Sequence, residues 1–186
     1  MSNSEYLDGI IAELTRNSEY VNDEELRKAA ELLLEAHHIF ITGVGRSGFA
    51  ARAFSCRLMH LGLAVSFVGE PTSPAAHEGD VLLVGSGSGE TESVKAVAKK
   101  AKNLGLKIIA VTIHPESTIG HLADHIICLP GGTPKSKLAD SAPSIQIMAD
   151  SFEQMSWIIY DVIVHYIQGM LKMSEDDMFA RHANLE

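Results

Sequence analysis

Cysteine is scarce in this chain. The two present, Cys56 and Cys128, lie far apart with no metal-type spacing. That excludes a disulfide framework and a thiolate zinc site, and both residues are expected to be small buried hydrophobes in a reducing compartment. Positive charge is also short: 15 lysines and arginines face 24 aspartates and glutamates, for a net −9. Long-range attraction therefore will not draw in nucleic acid, and none is expected as a partner. Any phosphate site has to be built locally. No apolar run is long enough to cross a bilayer, so no membrane association is expected. No basic segment followed by an apolar core opens the chain, which predicts a cytoplasmic protein without a leader. Internal repeats and low-complexity stretches are absent.

What is present is an ordinary globular composition, 46% hydrophobic and 21% charged over 186 residues. One domain over residues 1–186 is expected, large enough for a real core. Periodicity predicts helices over 4–17 and 23–37, with Asn22 or Asp23 capping the second. Strands are predicted at 39–42, 64–68, 81–84, 107–113 and 125–129. Between them come a helix ending near Leu61, with Phe49, Ala53, Phe54, Leu58 and Leu61 on its apolar side, a helix over about 90–104, and a short helix from Ser117. A long polar loop over 130–143 carries Lys135 and Lys137. A helix over about 150–172 follows, with Phe152, Met155, Ile159, Val162, Ile163 and Tyr166 in an apolar stripe. A polar tail with its own short helix comes last. Strands alternating with helices predict an α/β fold: a doubly wound, five-stranded, mostly parallel sheet with helices on both faces. Ligands in such sheets bind beyond the carboxyl ends of the strands.

The stretch with the most chemistry is Val81-Leu-Leu-Val-Gly-Ser-Gly-Ser-Gly-Glu-Thr-Glu92. A buried strand breaks into Gly85 to Gly89, and a helix opens at about Glu90. Glycines such as Gly87 and Gly89 let backbone N–H groups approach an anion, and the first helical turn points its free N–H groups at it. Ser86, Ser88 and Thr91 add hydroxyl donors. Three glycines and three hydroxyls in so short a stretch exceed what an ordinary N-cap requires. The loop has no lysine, so it is not the nucleotide P-loop. It suits a phosphate monoester.

Gly43-x-Gly45-x-x-Gly48 matches the dinucleotide fingerprint, and Glu70 stands at the end of the next strand. A nicotinamide-binding protein is therefore a rival reading. It leaves the loop from Ser86 to Thr91 without a task, and Arg46-Ser47 inside the first loop suits a sugar phosphate better than a pyrophosphate.

Gly45-Arg-Ser47, Ser86-Gly-Ser-Gly-Glu-Thr91 and the order of elements resemble the sugar isomerase (SIS) family of phosphosugar-binding domains. Within it, Arg57-Leu-Met-His-Leu-Gly62, Ser151-Phe-Glu-Gln154 and the terminal Arg181-His-Ala-Asn-Leu-Glu186 resemble the 6-phospho-3-hexuloisomerases. The similarity covers nearly the whole chain, and the hydroxyl loop specifies only the wider family. The resemblance implies interconversion of D-arabino-3-hexulose 6-phosphate and D-fructose 6-phosphate through a cis-enediol(ate). That reaction belongs to the ribulose monophosphate route, which fixes formaldehyde or, run backwards, makes pentose phosphate. The resemblance also implies a homotetramer, no metal and no cofactor, and functional coupling to a 3-hexulose-6-phosphate synthase. Other SIS isomerases, acting on arabinose 5-phosphate or sedoheptulose 7-phosphate, and a non-catalytic sugar-phosphate sensor are the alternatives.

The same resemblance assigns roles. Glu153 is the base that takes the proton next to the carbonyl. On residues alone, Asp150-Ser-Phe-Glu153 reads rather as a capping box with Glu153 at N3, and the resemblance reverses that preference. Arg46 brings a guanidinium to the substrate or its oxyanion, the alternatives being a solvated loop arginine or an intersubunit ion pair. Ser47 joins Ser86, Ser88 and Thr91 at the phosphate. His182 shuttles protons between substrate oxygens, against the plain reading of a tail histidine. His121-x-x-x-His125 with Asp124 invites a metal reading but straddles a helix end and a strand start. His60, ending a helix, is expected to favour the local dipole.

Overall fold

The computed structural model describes residues 4–132, 144–148 and 150–185. Two helices come first, α1 (Glu5–Ser18) and α2 (Asp23–Glu35). Then follow β1 (Ile39–Gly43), α3 (Gly45–His60), β2 (Val65–Phe67), β3 (Val81–Gly85), α4 (Glu92–Asn103), β4 (Lys107–Thr112), α5 (Thr118–Leu122) and β5 (His125–Cys128). The long α6 (Asp150–Leu171) and the short α7 (Glu175–Phe179) complete the order. Short polar side chains start the helices as expected. Asn22 accepts from the Glu24 N–H at α2, and Ser117 accepts from the Gly120 N–H at α5. Most of the polar loop expected over 130–143, with Lys135 and Lys137, lies outside the described residues.

The five strands form one sheet in the order β2-β1-β3-β4-β5. Every neighbouring pair is parallel, so the expectation of a mostly parallel sheet is met in full. Such strands are covered on both faces, which is why β1 and β3 are continuous apolar runs. Alternate residues serve opposite layers. Val81, Leu83, Ile109 and Val111 join the cluster built with α2, α3 and α6. Leu82, Val84, Ile108 and Ala110 join the cluster built with α4 and α5. The stripe on α6 is core: Phe152, Met155, Ile159 and Ile163 are buried.

Two expectations for α3 fail. Phe49 is 68% exposed, and the free Cys56 thiol is also exposed. Ala50, Ala51, Phe54 and Leu58 fill the side of α3 that meets β1 and α6, leaving Phe49 and Cys56 on the outward side. Cys128 is half-buried, and desolvation raises its thiol pKa, with the Glu25 carboxylate adding to the shift.

The chain runs outward from β1 to β2, then returns to place β3 on the other side of β1. The direction of winding reverses there, which makes the gap beyond the carboxyl ends of β1 and β3 the topological switch point. The two strands end in register, Gly43 beside Gly85. Both glycine-rich segments therefore leave the sheet side by side.

Candidate active site

The first segment does not loop out. After Val44 the chain enters α3 at Gly45, so Arg46 and Ser47 lie in the first helical turn. Gly48 explains the close fit. A Cβ there would lie 2.6 Å from the Gly43 carbonyl oxygen, so only glycine lets α3 pack this tightly on β1. The dinucleotide fingerprint is thus satisfied by packing. Glu70, which that reading needs at a ribose, is instead ion-paired to Arg52, and the Arg52 guanidinium lies 3.8 Å from the Phe67 ring centroid.

The second segment is folded on itself. The Ser86 hydroxyl accepts from the Gly89 N–H at 3.2 Å, and the Ser88 hydroxyl accepts from the Glu90 N–H at 3.3 Å. An accepting hydroxyl still has its proton to donate. Thr91 is the N-cap of α4, and its side chain makes no cap bond. Among the described residues, the backbone N–H groups of Gly87, Ser88 and Thr91 take no partner. Three hydroxyls and three open N–H groups therefore border one loop at a helix N-terminus, a suitable cradle for a phosphate monoester. Ser88→Ala is expected to weaken binding of a C6-phosphorylated sugar by about 1–3 kcal/mol, as for a lost hydrogen bond to a charged group. Unchanged affinity by calorimetry would reduce the loop to a turn.

Helix α4 begins at Glu92 rather than Glu90 because Glu90 is engaged elsewhere. Its carboxylate accepts from the Thr118 N–H at 2.6 Å, from the Thr118 hydroxyl and from Lys95. The carboxylate thus sits at the start of α5, and these bonds hold its pKa down at about 2, the Thr118 N–H contributing most. Gly89 packs on the same helix, with φ +62° and no room for a side chain: a Cβ would lie 1.9 Å from Ser117 Oγ. Glu90 thereby fastens the hydroxyl loop to α5, a role the sequence reading missed. A depressed carboxylate pKa stabilises the fold above the ordinary value of 4.5, and the contribution is lost as pH falls toward about 2. The melting-temperature gap between wild type and Glu90→Gln is therefore expected to hold above pH 4.5 and to close in acid. A gap independent of pH would show that the charge of Glu90 contributes nothing.

Glu153 reaches the site from α6. That helix begins at Asp150, so Asp150 is a helical residue and not the cap of a capping box. The Glu153 carboxylate accepts from Arg46 Nε, and Asp150 lies 3.4 Å from the same nitrogen. The hydrogen bond to Glu153 and the two carboxylate charges raise the Arg46 pKa. Arg46 remains 62% exposed while Glu153 is 16% exposed, so the guanidinium lies over a sheltered carboxylate at the mouth of the cleft. The cleft, about 460 Å³, is lined by Arg46, Phe49, Glu153, Gln154 and Trp157 among others. Phe152, the residue before Glu153, packs on the hydroxyl loop: a Cβ on Gly87 would touch its ring at 3.1 Å. Further along α6, Tyr160 is fully buried and stacked on Phe54 of α3 at 4.6 Å. Burial raises its pKa, and its hydroxyl takes no partner among the described residues.

Within this single chain His182 is not brought to Glu153. It stacks on His60 at 5.3 Å and on Phe179 at 5.8 Å. It lines an adjacent groove with Arg57 and Asp161 that shares Ala50 and Trp157 with the cleft. His60 is not the charged helix-end residue expected. It is 5% exposed, and desolvation, then the charges of Arg57 and His182, lower its pKa. The other paired histidines separate. His125 hydrogen-bonds the Glu25 carbonyl at 2.8 Å, whereas His121 is exposed beside Glu116.

Comparison with known proteins identifies the family of the fold. The SIS domain model matches residues 32–155, from α2 to the first turns of α6. A 3-hexulose-6-phosphate isomerase of Bacillus subtilis is 42% identical over the full length of both chains. One from Methanocaldococcus jannaschii is 40% identical over 89% of this chain and 88% of its own. A crystal structure from Methanococcus jannaschii, reported as inferring a 3-hexulose-6-phosphate isomerase function, superposes with a TM-score of 0.84 at 37% identity. The superposition covers 98% of this chain and all of that one. With the family's model matched across both glycine segments and the start of the Glu153 helix, the chain belongs to the SIS domain family.

Proposed function

We propose that this chain is a 3-hexulose-6-phosphate isomerase that moves a carbonyl between C3 and C2 of a hexulose 6-phosphate. One observation carries the reading. The sheltered Glu153 carboxylate is held by Arg46 from the helix that follows β1, and the preceding residue, Phe152, packs on the hydroxyl loop that follows β3. The loop of Ser86, Gly87, Ser88, Gly89 and Thr91, with Ser47, anchors the phosphate and sets the distance to the reacting carbons. Glu153 takes the C2 proton of the 3-ketose, and a cis-enediolate forms. Arg46 lies where its fixed fork of donors can meet the developing oxyanion. A proton returned to C3 completes fructose 6-phosphate. A 3-ketose phosphorylated at O6 closes no stable five- or six-membered ring, so no ring-opening step is needed in this direction. The base, the oxyanion donor and the phosphate anchor are all supplied by side chains and backbone, with no metal or cofactor assigned.

The proton shuttle is assigned to His182. Its place on the adjacent groove supports a role in a neighbouring subunit's cleft, within a cytoplasmic homotetramer. Phe49, Trp157 and Ile158 at the cleft are 68%, 50% and 45% exposed, an apolar rim suited to burial between copies. The reading couples this chain to a 3-hexulose-6-phosphate synthase of the ribulose monophosphate route.

The test is direct. Chelator-treated protein is incubated with fructose 6-phosphate in D₂O and followed by NMR. The 3-hexulose phosphate is expected to appear, with deuterium entering C3 of the remaining fructose 6-phosphate. Neither signal at high enzyme concentration would leave only sugar-phosphate binding. Exchange with arabinose 5-phosphate instead would move the chain to another SIS isomerase.

A further inference from the structure

Helix α1 lies outside the matched SIS region, yet it holds the entry to the Glu153 helix. Gly9, Glu13 and Asn17 are spaced four apart and so share one face. Each meets the chain just before or at the start of α6. A Cβ on Gly9 would lie 2.5 Å from Ile145 Cδ1. Glu13 accepts from the Ser144 hydroxyl at 2.7 Å and from the Ile145 N–H at 3.1 Å. The Asn17 amide donates to the Ser151 hydroxyl at 2.7 Å. Glu13, Asn17 and Ser151 are 4%, 6% and 5% exposed.

A buried carboxylate is costly in an apolar setting, and among the described residues no ion pair includes Glu13. A buried amide is tolerated only when bonded. These groups therefore do more than fill space. The chain they grip is also backbone-strained: Met148, two residues before α6, has φ +55°. A non-glycine residue in the left-handed region persists where its surroundings over-determine it. The Glu13 bonds lie before this position and the Asn17 bond after it.

We infer that Glu13 and Asn17 are positioning residues for the isomerisation: α1 acts as a strut that sets the first turn of α6 and, through it, the Glu153 carboxylate against Arg46. The inference rests on the proposed function. Neither residue touches the substrate. Their effect belongs chiefly to the proton-abstraction step, because the hydroxyl loop, although Phe152 packs on its Gly87, is fastened to α5 through Glu90 and Gly89.

The experiment compares Glu13→Ala, Glu13→Gln and Asn17→Ala in the full chain. Glu13→Ala is expected to lower kcat about ten-fold or more, since sub-ångström misplacement of a base is enough. KM and inhibition by inorganic phosphate should stay within about two-fold. Glu13→Gln keeps a group on each hydrogen bond and should restore most of kcat. In a Glu153→Gln background, Glu13→Ala should cause no further loss, because its effect passes through that carboxylate. Ser144→Ala removes one of the bonds and should show a smaller loss of the same kind, which covers a Glu13→Ala chain that fails to fold. Hydrogen exchange over residues 144–153 should quicken in Glu13→Ala while α4 is unchanged. An unaltered kcat, a loss that persists in the Glu153→Gln background, or a rise in KM alone would overturn the strut. If the wild-type chain turned over no hexulose phosphate, the proposed reaction would fall. The exchange measurement would still decide whether α1 holds the start of α6.

Discussion

Glu153→Gln is expected to abolish turnover, by on the order of a hundred-fold or more, while sugar-phosphate binding survives. The substitution keeps the shape of the side chain and leaves one oxygen to accept from Arg46. It removes only the group that can take a proton. The proposed phosphate anchor lies on a different element, the loop after β3, so inorganic phosphate should still compete with substrate to within about three-fold. Steady-state kinetics and phosphate inhibition measure the two effects separately. Solvent exchange at C3 of fructose 6-phosphate should disappear with turnover, because both need the same proton removed. A variant within a few-fold of wild type would show that Glu153 is not the base. Arg46 would then have to be read as the partner of a structural carboxylate.

Removing the tail is expected to have the second largest effect. Deletion of residues 180–186 takes away His182 and also Arg181, whose guanidinium packs against Gly62 and donates to the Asp177 carbonyl. The tail lies outside the sheet, and its described residues 181–185 are exposed, so the fold and the hydroxyl loop should remain intact. Activity should fall sharply nonetheless. The decisive version mixes two inactive proteins, Glu153→Gln and His182→Ala. If each cleft takes its histidine from another subunit, random exchange restores both groups to roughly a quarter of the clefts. Activity should reappear in proportion. A histidine that serves its own chain restores nothing, because every cleft then keeps one of the two defects. No recovery after subunit exchange has been confirmed by mass spectrometry would confine the tail to its own subunit.

The sheet was legible in the sequence because each strand is a short apolar run ended by glycine, proline or a polar turn, and the helices between them show a helical period, some with a polar cap. The parallel order followed from alternation alone. The hydroxyl loop was legible for the same reason: its chemistry is local, with glycines and donors inside one short segment. The resemblance to known isomerases supplied what spacing could not, the singling out of Glu153, His182 and Arg46 from other charged residues. On pattern alone Glu153 fitted a capping box, and the glycine triplet at Gly43 fitted a dinucleotide fold.

The tertiary structure decided matters that depend on distance between residues remote in sequence. Arg46 meets Glu153 only because α6 packs against α3. The fingerprint glycines turned out to be a packing device because Gly48 rests on the Gly43 carbonyl. Phe49 and Cys56 lie outward, and His60 inward, because one side of α3 is filled by smaller or better placed neighbours. Glu90 and Glu13 look like ordinary surface acids in sequence, since nothing local marks a carboxylate that will cap another helix or take hydrogen bonds inside a core. By itself the sequence determined the elements, their order along the chain and the loop of glycines and hydroxyls, each written within a few residues. Burial and charge pairing came from the fold, since they are sums over neighbours that only the packed chain brings together.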